Sequence, residues 1–326
     1  MTIPERYSAT FLCSFIALGL IANAGEATAE EKPTVRTVNC AKGQSVQKAI
    51  DQAPGSRPLV VIIDGTCTEN IRIFRDRVEL RGHADGGRIV GSNQDETLFI
   101  KGASNIRIVS LTVTGDNTGV NTHASDVAIL NSAVDNNVLR GIEAEDNSYI
   151  MVEDSSISGN GELGVELTQS VLDLSGSVAI KNNGSEGITA KQTSAVDIEG
   201  SPVTVEDNGD AGIRLAGNSN LSAGGLLVTG NAGPGLSVES GSSAEIGEST
   251  ISSTAGDGLV LTLQALAEIS ESEISGGVSL LRDSGIILRD NAVISGGLLC
   301  AGAESSFEVD GSGVVIDPPP ACSGFF

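Results

Sequence analysis

Residues 141–160 read GIEAEDNSYIMVEDSSISGN, and residues 164–183 read GVELTQSVLDLSGSVAIKNN. Laid over one another from their first glycines, the two stretches agree in character. Ile142 and Ala144 stand where Val165 and Leu167 stand, Ile150 and Val152 answer Leu172 and Leu174, and Ile157 answers Ile180. Apolar and polar residues alternate within each short run, the two-residue period of a strand with one buried face. The runs are joined by Ser, Asn, Asp and Gly, residues that turn the chain sharply. Each unit therefore reads as three short strands, and stacked units make three parallel sheets around a narrow apolar core. The expected fold class is all-β, a parallel β-helix with three strands per coil.

The period runs far beyond these two units. A glycine followed by a branched apolar residue recurs at Gly119, Gly141, Gly164, Gly187, Gly212, Gly235 and Gly258, then after a shorter step at Gly277. An asparagine column, Asn137, Asn160, Asn183, Asn208 and Asn231, carries the same two-residue insertion between its third and fourth members. A helical repeat would space its apolar residues at 3.6 and avoid glycine. A leucine-rich horseshoe would show Leu-x-x-Leu-x-Leu, which is absent, and a sandwich would not hold two columns in register. The asparagines are expected to take the left-handed conformation of a corner and to bond along the rod as amide ladders. The coil is expected to be right-handed, as parallel crossovers are.

The composition fits thin layers. The 326 residues include 41 Gly, no Trp and only 3% aromatics, while 40% are hydrophobic, which excludes wholesale disorder. The net charge of −23 argues against nucleic acid or an anionic membrane surface as partner. That excess is uneven. Residues 25–110 hold 12 basic and 11 acidic side chains, whereas residues 111–326 hold 6 and 30.

The ends read differently from the middle. Residues 1–24 resemble a signal peptide, with Arg6, an apolar run from Phe11 to Ile21, and small-residue cleavage sites after Ala24 or Ala29. The run is too short to span a bilayer, so the expectation is a secreted or periplasmic protein without a transmembrane anchor. Residues 25–38 are read as a linker, 39–110 as an N-terminal cap with irregular coils, and 111–326 as regular coils with a C-terminal cap. Ser45 can cap a short amphipathic helix whose face is Val46, Ala49, Ile50 and Ala53, stopped by Pro54-Gly55. Strands are expected at 59–63, 71–74 and 78–80. Cys40 and Cys67, and Cys300 and Cys322, each lie about one coil apart, within reach of a disulfide across stacked strands. Free thiols or a metal site are the alternative, although no His lies near any of the four and no C-x-x-C occurs.

The stretch 41–82, AKGQSVQKAIDQAPGSRPLVVIIDGTCTENIRIFRDRVELRG, resembles the N-terminal coil of pectate-lyase-like right-handed β-helix proteins. The matching features are a capping helix, a Pro-Gly turn, a strand and a Gly-Thr-x-x-Glu-Asn step. With the Gly and Asn columns the resemblance extends over about residues 40–317. It implies the fold, and it implies that any site sits on an outer strand face. Activity does not follow, since such scaffolds host many functions.

Two outward columns follow from the alternation: Asn121, Glu143, Glu166, Thr189, Arg214, Ser237 and Val260, and His123, Glu145, Thr168, Lys191, Ala216, Glu239 and Thr262. A polyuronate lyase needs oxygen ligands for Ca²⁺ and a base beside the sugar carboxylate. Asp116, Glu143, Glu145 and Glu166 are the candidate metal ligands, with Asn121 beside them as a binding residue. His123, Lys191 and Arg214, with Arg140, are the candidate catalytic or charge-stabilising residues. The Asn-Thr-Asp, Asp-Asp, Gly-His-Gly and Arg-Ile-Lys signatures of pectin hydrolases and the Asp-Pro-His-Asp signature of alginate epimerases are missing. Among the regular coils only Tyr149 offers a ring for stacking on sugars. The reading is thus a non-catalytic surface, envelope or glycan-facing scaffold, whose partner is a polysaccharide or envelope component. The alternative is a Ca²⁺-dependent polyuronate lyase or related carbohydrate-active enzyme. Nothing in the sequence points to an oligomeric state.

Overall fold

The computed structural model describes residues 32–320, apart from 93–94, 201–202 and 302–303. The expected signal peptide, with both cleavage sites, lies outside the described residues. So does Cys322.

The chain coils as a parallel β-helix. Each regular turn contributes one strand to each of three ladders, and every strand pair is parallel. One turn illustrates the rest. Arg140–Glu145 belongs to an 11-stranded sheet, here the third sheet. Tyr149–Glu153 belongs to the first sheet and Ser156–Ser158 to the second. The first and second sheets are continuous at the N-terminal end, because Leu59–Thr68 and Val78–Val90 run around the corner without a break. These strands are longer than the expected 59–63 and 78–80, and Ile71–Ile73 matches its expectation closely. Inward residues of each turn, such as Ile142, Ala144, Ile150, Val152 and Ile157, are fully buried and stack on their counterparts in the next. Each Ile or Val among them contributes roughly 1.5–3 kcal/mol on burial.

Glycine and asparagine recur together because they touch. A Cβ on Gly164 would lie 2.5 Å from the Gly187 carbonyl oxygen and 2.8 Å from the Asn183 side-chain amide, and Gly141 and Gly187 meet the same obstacles. The glycine leaves the space that the asparagine occupies. Asn137, Asn160, Asn183, Asn208 and Asn231 are all buried. The Nδ2 of each of the first four donates to the Oδ1 of the next, at 2.8–2.9 Å, and Asn231 Nδ2 donates to the Val205 carbonyl oxygen at 3.0 Å. Their backbones correct one expectation: the ladder asparagines are not left-handed. The residue before each of them is, namely Asn136, Gly159, Asn182, Asp207 and Gly230. That residue turns the chain, and the turn aims the following amide inward. Two serine ladders went unread in the sequence. Ser148, Ser170, Ser194, Ser219 and Ser242 form one, each accepting at Oγ a backbone N–H from the preceding coil. Ser132 and Ser155, then Ser249 and Ser272, mark the other corner.

The N-terminal end is closed by the helix Val46–Asp51, with Ser45 as its N-cap and Val46, Ala49 and Ile50 buried. Glu69, from the coil beneath, accepts hydrogen bonds from the Ser45 hydroxyl at 2.8 Å and the Val46 and Gln47 amides at 2.6 and 3.2 Å. The expected linker 25–38 contains more structure than its composition suggests. Thr34–Asn39 is a strand paired with Leu59–Asp64, because Val38 fills the first layer. Cys40 and Cys67 form a disulfide. Cys300 is also disulfide-bonded.

Candidate functional site

The third sheet presents its outward residues as two columns in the expected register. Asn121, Glu143, Glu166, Thr189, Arg214, Ser237 and Val260 are successive partners. His123 pairs with Glu145, Thr168 with Lys191, and Lys191 with Ala216. The register also extends toward the N-terminus, where the sequence left it unread: Arg72, Phe99 and Asn121 continue the first column, and Lys101 precedes His123 in the second.

These side chains neutralise one another. Glu166 is nearly buried, and its two oxygens are taken by Arg140 Nε and Lys191 Nζ. Arg140 also lies 3.7 Å from Glu143, which accepts from Asn121 Nδ2 at 3.1 Å. Arg214 grips Glu239 with two bonds of 3.1 Å and stands 3.8 Å from Glu186. His123 faces two carboxylates, Glu145 at 3.3 Å from Nε2 and Asp146 at 3.1 Å from Nδ1. Lys191 and Arg214 are thus ion-paired, and both ring nitrogens of His123 face carboxylates. Beneath the pairs, Asn121 Oδ1 and Thr189 Oγ are buried without a hydrogen-bond partner among the described residues.

The same geometry splits two neighbouring carboxyls. Burial raises the Glu143 carboxyl above the usual range; Arg140 offsets part of this, while Glu166 and Glu145 add to it. Burial pushes Glu166 the same way, but the Lys191 hydrogen bond and the Arg140 and Lys191 charges outweigh it and hold Glu166 low. Environment alone thus moves two carboxyls on adjacent coils in opposite directions.

Asp116 does not join this face. It is buried at the corner before the strand Thr118–His123 and accepts from Asn70 Nδ2. Glu143, Glu145 and Glu166 do share the face, but a Ca²⁺ site wants six to eight oxygens, and both Glu166 oxygens already hold cations. Among the described residues no group of three or more His, Cys, Asp or Glu is arranged to hold a metal. These residues do not fit the ion. Tyr149 sits on a different sheet, where its hydroxyl donates to Asp173 at 2.7 Å and is pushed up to about 12, chiefly by that bond. A recess of about 550 Å³ lies at the corner between the first and second sheets. Its Asp154 already accepts from the Ser177 amide at 2.9 Å.

Comparison with known proteins bears on the fold. A family model described as right handed beta helix region matches residues 69–203 and 172–312. No curated protein matches the chain. Among solved structures, the A-module of mannuronan C-5 epimerase AlgE6 from Azotobacter vinelandii is similar at 14% identity and a TM-score of 0.57, covering 88% of this chain and 99% of that one. The AlgE4 A-module from the same organism gives 16%, 0.57, 86% and 93%. Full-length tailspike protein 2 of Escherichia coli O157:H7 bacteriophage CAB120 gives 13% and 0.55, covering 82% of this chain and 40% of that one. At such identities the likeness is one of fold.

Proposed function

Because the chain belongs to the right-handed β-helix family, we propose that it is a non-catalytic, glycan-facing scaffold that presents the third sheet to a polysaccharide or envelope component. One observation carries this reading: the face spends its charges on one another. Each candidate base or charge stabiliser, His123, Lys191 and Arg214, is engaged by a carboxylate. Lys191 and Arg214 are held as cations, which have no free electron pair to take a proton, and both ring nitrogens of His123 face carboxylates rather than open solvent. A face of paired planar charges and amides can instead hydrogen-bond hydroxyls without gaining net charge. We place the protein outside the cytoplasm. The Cys40–Cys67 disulfide suits an oxidising compartment, and among the described residues no helix is long and apolar enough to cross a membrane.

A second reading, a polysaccharide lyase or related carbohydrate-active enzyme, draws on the opposed Glu143 and Glu166 carboxyls. One experiment separates the two. The chain is incubated with a panel of neutral and uronate polysaccharides, with and without added calcium, while binding and new chain ends are followed together. Saturable binding without new ends supports the scaffold. Turnover that Glu143→Gln or Lys191→Ala abolishes overturns it.

A further inference from the structure

The N-terminal end of the third sheet carries a cluster that the ion-paired middle does not absorb. Phe99 is the register partner of both Arg72 and Asn121. Phe74 follows Ile73, the partner of Ile100, and so stands beside Lys101 on the same face. The Phe74 and Phe99 rings meet edge to face with centroids 6.0 Å apart. The His123 ring is 5.5 Å from Phe99 on a tilt, and the Arg72 guanidinium lies 5.3 Å from the Phe99 centroid. Phe99 is therefore the inner, occupied ring. Phe74 is the outer one, 62% exposed.

What surrounds these rings defines what they fit. The polar neighbours are planar and already paired: Arg72 with Asp95 at 3.0 Å, and His123 with Asp146 and Glu145. Asn121, only 5% exposed, lies beneath these pairs and closes the floor of the patch. The basic Arg72 and Lys101 stand among the acidic Asp95, Glu96, Glu145 and Asp146, so the patch offers a polyanion no net attraction. The acidic coils beyond it would repel one. A ring with an apolar C–H face and a rim of hydroxyls satisfies all of these groups together.

We propose that Phe74, Phe99 and Arg72 form a subsite for a neutral pyranose unit, with Phe74 stacking on its C–H face and the half-exposed Arg72–Asp95 pair engaging its hydroxyls. The subsite rests on the glycan-facing reading and names the class of sugar. The test is calorimetry on the full chain with neutral gluco- and galacto-oligosaccharides and, separately, oligogalacturonates. Circular dichroism verifies that each variant keeps its fold. Neutral oligosaccharides should bind, Phe74→Ala should weaken them about tenfold or more, and Phe74→Tyr should retain them. Tyr149→Ala, on another sheet, should leave binding unchanged. Binding that ignores Phe74→Ala overturns the subsite while the glycan-facing reading stands. Tighter binding of the oligogalacturonates overturns the sugar class. Absence of binding by every saccharide defeats both.

Discussion

The asparagine ladder has a direction, and that direction makes its two ends unequal. From Asn137 to Asn208 each backbone N–H and each Nδ2 donates toward the C-terminal end, to the Oδ1 of the next rung. Replacing Asn231, the last rung, by Ala removes the acceptor of the Asn208 backbone amide at 3.0 Å and of its side-chain amide at 2.9 Å. Both donors are buried, and an orphaned buried donor costs about 1–3 kcal/mol, so with the void left behind the loss is about 4 kcal/mol. Asn137, the first rung, accepts nothing: its Oδ1 has no partner among the described residues. Asn137→Ala orphans no donor, and Asn160 Oδ1 loses only one of its two donors. Its cost is about 1 kcal/mol. Both rungs terminate the ladder, so end fraying does not produce the difference. Urea unfolding by circular dichroism measures it. A repeat array can open in sections, so amide exchange at Asn208 in Asn231→Ala, and at Asn160 in Asn137→Ala, provides the local value. Equal losses at the two ends, or a larger one at Asn137, would refute the directional account.

Gly187→Ala should cost roughly 1–3 kcal/mol in urea midpoint analysis, because its Cβ meets Val205 Cγ1 at 2.6 Å and the Gly212 oxygen at 2.7 Å, whereas Gly55→Ala, with open space around it, should change nothing. Opening the Cys40–Cys67 disulfide by paired Cys→Ser substitution releases a separation of 27 residues and should cost about 3.5 kcal/mol by loop-closure entropy; amide exchange should place that loss in the helix Val46–Asp51 and the strand Thr34–Asn39. Carboxyl NMR titration should find Glu143 above and Glu166 below the ordinary glutamate value of 4.5. By linkage, Glu166 contributes stability above that value and loses it as pH falls through its lowered folded one. Glu143 does the reverse: its contribution is present below 4.5 and lost as pH rises through its raised folded value, so Glu143→Gln should raise stability at pH 7 relative to pH 4.

The fold was legible because its two periodic signals are one physical contact. Gly164 lacks a Cβ so that the Asn183 amide can lie 2.8 Å from where one would be, and an insertion that shifts one column must shift the other. The buried alternation of Ile142, Ala144, Ile150 and Val152 then gave inward and outward faces directly. What escaped notice was conformational or aperiodic. The left-handed residue of each corner varies among Asn, Gly and Asp, so the eye settles on the invariant asparagine that follows it. The serine ladders hide among corner serines that make no such bonds. Thr34–Asn39 buries little beyond Val38 and resembles a linker.

The candidate site was legible only where the glycine column marks each coil. From Asn121 to Arg214 the steps vary between 22 and 25 residues, but Gly119, Gly141, Gly164, Gly187 and Gly212 keep pace with each one, and the outward columns match the register. Between Arg72 and Phe99 the step is 27 residues, and from Phe99 to Asn121 it is 22. Thr97 and Asn70 stand where the column would have its glycine, so no marker points to Arg72, Phe74 and Phe99, which the fold brings together beside His123. Asp116 failed for the opposite reason. It lies five residues before Asn121, in a corner where alternation no longer says which way a side chain points, and it turns inward to Asn70. An outward position in a solenoid need only stay soluble, so its residue type carries little information by itself. Meaning comes from the residue one coil away: Glu166 is a buried anion only because Arg140 and Lys191 reach it from the coils on either side. Pairing across coils, invisible in any single repeat, is also what holds the candidate bases in place and leaves the open aromatic end as the part of the face with an unmet contact.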